Sequence, residues 1–141
     1  MASAIDVVTD QFAATNERDF ERAMALYSDD VVLIVSGQAG PNPGAFEGKQ
    51  AVGEWFGDWF RTFDRDYSFE IEEARELPEG PVFIFARHGG SGRLSGVEVR
   101  GANAYLYRVR AGRISRVGFF ATQEEALEAA GLPEWSGAET D

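Results

Sequence analysis

The sequence predicts an α+β fold: helices grouped toward the N-terminus, then a curved antiparallel sheet. Three observations carry that expectation. Apolar residues recur at helical spacing through most of the first sixty positions, and period-two alternation takes over from Asp66. Short turn signals then link the later segments as a meander.

Composition sets the outer limits. A chain of 141 residues with 44% apolar and 26% charged positions suits one globular domain with a real core. No cysteine is present, which excludes disulfides and thiolate chemistry, and a single histidine excludes a multi-histidine metal site. No carboxylate cluster suggests magnesium, so neither a metal nor a cofactor is expected. A net charge of −11 opposes binding to nucleic acid or to anionic membranes, and in itself reads as a solubility device. The N-terminus lacks the basic head and apolar run of a signal peptide, so a cytoplasmic location is expected.

Ser3 opens an S-x-x-D variant of the capping box, and Ile5, Val8 and Phe12 follow at helical spacing. Asp19 reads as a second N-cap. Phe20, Ala23, Met24 and Tyr27 then share one face of a short second helix. Ser28, Asp29 and Asp30 are expected to break that helix before a buried strand at residues 31–35. The adjacent carboxylates invite a catalytic-dyad reading, but their place between helix and strand favours turn chemistry.

Residues 37–48, rich in Gly and Pro, read as a loop. A third helix follows, with Val52, Trp55, Phe56, Trp59, Phe60 and Phe63 on one broad face. Such an aromatic load suits a core helix under a sheet, or the wall of a cavity.

Tyr67, Phe69 and Ile71 alternate with Ser68, Glu70 and Glu72 as a half-buried strand, and "PEGP" turns the chain. Residues 82–88 are apolar on both faces. Residues 97–110 and 113–121 form the last two strands, joined through Ala111 and Gly112. A Thr122/Glu125 capping box starts a final short helix, which Gly131 and Pro133 end. A single domain over residues 1–134 is expected, with 135–141 as a disordered tail.

The stretch "ARHGGSGRLSG" at residues 86–96 resembles a phosphate loop only superficially. It lacks the G-K-[ST] ending, and a strand follows where a helix is required, so it reads as a turn. His88 falls in phase with Val82, Ile84 and Ala86, which directs its imidazole inward near one end of the sheet. Its ordinary pKa suits acid–base work, yet a lone histidine without an assignable carboxylate is more often a hydrogen-bonded structural residue.

Taken together, "NERDFERAMALYSDDVVL", "FEGKQAVGEWF", "GSGRLSGVEV", "YRVRAGRISRVGFF" and "EEALEAAGL" resemble the SnoaL-like proteins over residues 4–132. These belong to the nuclear transport factor 2 superfamily, with ketosteroid isomerase and scytalone dehydratase. The resemblance implies a cone-shaped, curved, mixed or antiparallel sheet wrapped around three N-terminal helices, the cystatin-like α+β barrel, with a short C-terminal helix. It also implies an apolar pocket at the wide end and homodimers paired through the outer sheet face. A strand apolar on both sides is consistent with such pairing.

The same resemblance places Gln11 at the isomerase's oxyanion-binding tyrosine, Val35 at its general base and Tyr105 at its protonated aspartic acid. Val35 cannot accept a proton, so isomerisation by that route is not expected. What remains is a kit for binding a small apolar, oxygenated molecule. Gln11 and Tyr105 would donate hydrogen bonds within walls of Val35, Val52, Trp55, Phe56, Trp59, Val117 and Phe119. Asn103 shares the strand face of Tyr105 and needs a partner, either a ligand or the protein itself. Should there be catalysis by a cyclase, isomerase or dehydratase route, His88 is the first candidate to move a proton, with Tyr105 and Gln11 stabilising the oxyanion. Glu73 is in phase with Tyr67, Phe69 and Ile71 and is a second candidate base, but its position near a strand end favours exposure, whereas Glu98 points away. A dimeric interaction module with an incidental pocket is the third reading.

Overall fold

Side-chain caps fix where the first helices begin in the computed structural model, which describes residues 3–37, 43–63, 66–92 and 94–136. Ser3 Oγ accepts the Asp6 N–H at 3.1 Å and the Asp6 carboxylate accepts the Ser3 N–H at 3.3 Å, opening α1 (Ala4–Asn16). Asp19 accepts the Arg22 N–H at 3.1 Å and opens α2 (Phe20–Ala25). Such caps contribute about 1 kcal/mol each.

The chain enters β1 (Tyr27–Val35) directly, so Tyr27 lies on a strand rather than a helix, and Asp29 and Asp30 are exposed strand positions rather than a turn. Pairing explains the difference. Tyr27 lies opposite Ile114, whose N–H donates to the Leu26 carbonyl at 2.8 Å, and the register breaks before Val32. The predicted turn is absorbed as that irregularity. The Gly/Pro-rich loop also contains a strand, β2 (Gly44–Glu47), antiparallel to β1.

Helix α3 (Lys49–Arg61) follows, and Phe63 lies beyond its end in an isolated bridge to Gly92. Two glycines, Gly53 and Gly57, stand inside this helix, each costing about 1 kcal/mol relative to alanine. The remaining strands are β3 (Ser68–Glu76), β4 (Val82–Ser91), β5 (Glu98–Arg110) and β6 (Arg113–Phe120). Helix α4 (Gln123–Ala129) and a 3₁₀ turn (Pro133–Trp135) close the described chain.

The sheet order is β2-β1-β6-β5-β4-β3, with β1 and β6 parallel and every other pair antiparallel. It is a mixed sheet that stays open between β2 and β3, not a closed barrel. Helix α1 touches four strands, β3 to β6, while α3 packs on β1 and β2, so the sheet wraps around the helices.

Two cores account for the strand that is apolar on both sides. Val82, Ile84 and Ala86 face the helices. Phe83 joins Leu106, Phe120 and Leu77 on the outer face, where Ala126, Ala130 and Trp135 cover them. Trp135, expected in a disordered tail, is therefore buried, with the Arg116 guanidinium 5.0 Å from its ring centroid. The chain's own C-terminal segment, not a second copy, fills this part of the outer face. The rest of the expected tail, residues 137–141, lies outside the described residues.

Strand β4 runs through Gly89 and Gly90 to Ser91, so the turn in the glycine stretch is shorter than expected. Gly90 has a specific task there. A Cβ on it would meet the Tyr67 backbone, 2.7 Å from the nitrogen. Only a bare backbone lets the two segments cross so closely.

Candidate functional site

A cavity of about 590 Å³ lies between the helices and the concave side of the sheet. Helix α1 contributes Gln11, Phe12 and Thr15, and the sheet contributes Tyr27, Phe69, Tyr105, Tyr107 and Phe119. From α2 come Phe20, Ala23 and Met24; from α3 come Gly53, Phe56, Gly57, Phe60 and Arg61. Arg18 and Phe63 complete the lining from the connections. Asn16 fastens one wall: its side-chain amide donates to the Phe69 carbonyl and accepts the Phe69 N–H, both at 2.9 Å, joining the end of α1 to β3.

The polar surface at the sheet wall is phenolic. Tyr27, Tyr105 and Tyr107 are all at least 98% buried, and burial pushes each phenol above its ordinary pKa, so all three remain O–H donors at neutral pH. The Tyr27 hydroxyl is buried without any hydrogen-bond partner. Neither Tyr105 nor Tyr107 hydrogen-bonds another described residue through its side chain. On the opposite wall, Gln11 donates through Nε2 to Thr15 Oγ1 at 2.9 Å, and Thr15 donates to the Gln11 backbone carbonyl at 2.9 Å. Its side-chain carbonyl is left as an acceptor.

His88 sits outside this lining, in the middle of a hydrogen-bonded chain. Asn103 Nδ2 donates to the Phe120 carbonyl at 3.2 Å, which directs its Oδ1 to the His88 Nε2–H at 2.9 Å. His88 Nδ1 then accepts from the Tyr67 hydroxyl at 3.0 Å, and that oxygen accepts the Trp59 Nε1–H at 3.2 Å. Both ring nitrogens are engaged, and the ring lies among Trp59, Tyr67 and Phe69. Gly101, opposite His88 on β5, makes room: a Cβ there would approach Nε2 to 3.0 Å.

Burial lowers the His88 pKa below 6.5, against a smaller opposing effect of the Asn103 bond. The folded protein therefore keeps the ring neutral while the unfolded chain takes up a proton. Stability from this group is present above pH 6.5 and lost as the pH falls below it, toward the folded-state pKa. Urea melts between about pH 7.5 and 5 are expected to show that decline. His88→Gln should flatten it over the same window; equal slopes in both proteins would contradict a buried neutral imidazole.

Of the expected binding residues, Gln11, Phe56, Tyr105 and Phe119 border the large cavity. Val35, Val52, Trp55 and Val117 do not; they are core residues at most 6% exposed. Trp59 and Asn103 border only a void of about 10 Å³ beside Tyr105. Glu73 is turned away from the cavity. A bulge between Ile71 and Glu73 shifts the β3 register, so Glu73 pairs with outward-facing Phe85 and holds Arg75 at 2.5 Å. Glu98 is exposed and paired with Arg100 at 3.0 Å.

Sequence reading missed Phe12, Tyr107, Phe60 and Phe69 as walls, although their phases were visible, and predicted α2 without assigning it to the cavity. Among the described residues no group of three or more His, Asp or Glu side chains is arranged to hold a metal ion. No helix among the described residues is long and apolar enough to cross a membrane.

An open mixed sheet enclosing helices and an aromatic cavity defines a cystatin-like α+β protein of the nuclear transport factor 2 type. The chain belongs to the SnoaL-like family, whose domain profile matches residues 8–117. Sequence comparison with curated proteins gave no match. Among solved structures, an NTF2-like protein from Burkholderia thailandensis is 20% identical, with a TM-score of 0.74 over 94% of this chain and 100% of its own. RV0760c from Mycobacterium tuberculosis, in complex with estradiol-17beta-hemisuccinate, is 22% identical, with a TM-score of 0.70 over 86% and 95%. TerC, co-crystallized with polyporic acid, is 17% identical, with a TM-score of 0.70 over 92% and 98%. At these identities the likeness concerns the fold.

Proposed function

We propose that the protein binds a small, largely aromatic molecule that carries an oxygen acceptor at one end. The carrying observation is three buried tyrosines beside an apolar cavity: the Tyr27 hydroxyl is buried without a partner, and Tyr105 and Tyr107 make no side-chain hydrogen bond to a described residue. A buried hydroxyl without a partner costs stability, and a ligand oxygen is the natural recipient of its proton. Phe12, Phe60, Phe69 and Phe119 supply edges and faces for the rest of the molecule. The volume falls within the roughly 300–1,000 Å³ of small-molecule sites. That two solved proteins of this fold are complexed with small organic molecules, polyporic acid and estradiol-17beta-hemisuccinate, agrees with the reading.

Binding is favoured over proton-transfer catalysis. General acid–base work needs a group that titrates near neutrality within reach of the ligand. No carboxylate lines the cavity among the described residues, and His88 is turned into its own hydrogen-bond chain. Pairing of two copies belongs to this reading only on a narrower surface. Over the part covered by Trp135 the outer face is occupied, and toward β3 and β4 it carries the Arg87–Glu72 ion pair.

The test is thermal melting and calorimetry against a panel of steroids, polyketides and terpenoids. A bound member at a hundred times its Kd is expected to raise Tm by roughly 5–10 °C. The absence of both binding heat and any Tm shift across the whole panel would overturn the proposal.

A further inference from the structure

The cavity's solvent side lies between α2 and α3. Its buried lining comes from α1 and the sheet, with Ala23 and Phe63 besides, whereas its exposed members are Phe20, 42% exposed at the start of α2, and Arg61 in the last turn of α3. The two helices are not packed backbone to backbone; α2 rests on α1 and β1 instead. Side-chain tips span the gap: the Phe20 and Phe60 rings meet at 5.4 Å, and the Met24 methyl faces Gly53. Helix α2 is six residues long, buries only Ala23, and is held to α1 by exposed ion pairs of Arg22 with Asp10 and Glu17, so its outer edge, with Phe20 and Met24, has little holding it.

Gly53 and Gly57 stand at i and i+4 on the side of α3 that borders this gap. Packing within the fold does not require them. A Cβ at Gly53 would meet only the end of Met24, at 3.4 Å, and one at Gly57 only an Arg61 nitrogen, at 3.5 Å. Both are ordinary contacts with flexible side chains, and neither glycine needs a left-handed backbone. Glycine is nonetheless the poorest helix former after proline. What the two glycines provide is space beside the cavity.

Resting on the binding reading above, we propose that the slot between α2 and α3 is the ligand's entrance. Gly53 and Gly57 form its fixed edge and set the size of molecule admitted, while Met24 and Phe20 on α2 form the edge that yields. A slot with one smooth helical side admits a flat aromatic molecule edge-on.

Stopped-flow uptake of 6-propionyl-2-(dimethylamino)naphthalene, an uncharged flat dye that carries a ketone oxygen at one end and fluoresces in apolar surroundings, separates the two proposals. Gly57→Leu is expected to slow association and dissociation alike, by at least tenfold. Met24→Ala is expected to speed both. Gly57→Ala provides the folding control, with Tm raised by roughly 2–4 °C. A dye taken up by the native protein, with Gly57→Leu leaving both rates unchanged or altering dissociation alone, would overturn the entrance and leave the binding reading standing. No uptake by the native protein would overturn both.

Discussion

Gly90→Ala is expected to destabilise the fold by about 3 kcal/mol, lowering Tm by roughly 6–12 °C. The added methyl falls on the Tyr67 backbone, with 2.7 Å to its nitrogen and 2.8 Å to its Cβ, so no rotamer change relieves it. One of the two segments has to move. Tyr67 is stacked on Phe63 with ring centroids 4.1 Å apart, and its carbonyl accepts from Arg18 Nη2 at 2.6 Å. Its hydroxyl is the link between Trp59 and His88. Displacing Tyr67 therefore disturbs an aromatic stack and a buried hydrogen-bond chain together. Gly112→Ala is the matched control, because open space surrounds that position and only its positive φ opposes a side chain. Equal losses at the two positions, measured by urea melts, would contradict the close crossing.

The double replacement Tyr105→Phe, Tyr107→Phe is expected to separate binding from stability. A structural hydroxyl contributes about 1 kcal/mol to folding through its hydrogen bond, and its removal lowers Tm. Here the two side chains form no such bond with described residues, so the double variant should melt at or above the native temperature. Binding should move in the opposite direction. Loss of a hydrogen bond of about 1.4 kcal/mol is a tenfold loss in affinity, so Kd for the tightest panel ligand should rise by roughly ten- to a hundredfold. Calorimetry and melting on the same preparations check both halves. A variant that loses stability while keeping its affinity would make the phenols structural and remove the basis of the proposed site.

Local signals were legible and long-range ones were not. The Ser3 and Asp19 caps were readable because the capping side chain lies three residues from the N–H it binds. Tyr105 and Phe119, named from the family resemblance, sit opposite one another on neighbouring strands and both border the cavity. By contrast, β1 pairs in parallel with the last strand, about eighty residues away, and no local pattern announces that partner. That pairing turned an expected helix break into strand. The bulge at Glu72 adds one residue to β3, and a single residue suffices to turn Glu73 to the other face.

The site was partly readable for similar reasons. Phase alone placed His88 on the inward side of β4, but its partners lie on three other segments. The signal that would have found them is the hairpin register: with His88 opposite Gly101, Asn103 becomes its diagonal neighbour. Gly53, Gly57 and Met24 gave no sign of bordering a cavity, because a gap is defined by side chains that are not there. Trp135 was misplaced since an isolated tryptophan after a Pro has no periodicity to assign it. Its partners, Phe120 and Arg116, are on β6.

A crystal structure of the protein soaked with its tightest panel ligand tests the central claim most directly. Density for a flat molecule is expected between Phe12, Phe60 and Phe119, with one of its oxygens about 2.7–2.8 Å from a hydroxyl of Tyr105 or Tyr107. A cavity filled by protein side chains, with those hydroxyls bonded to the protein itself and the ligand elsewhere, would contradict it.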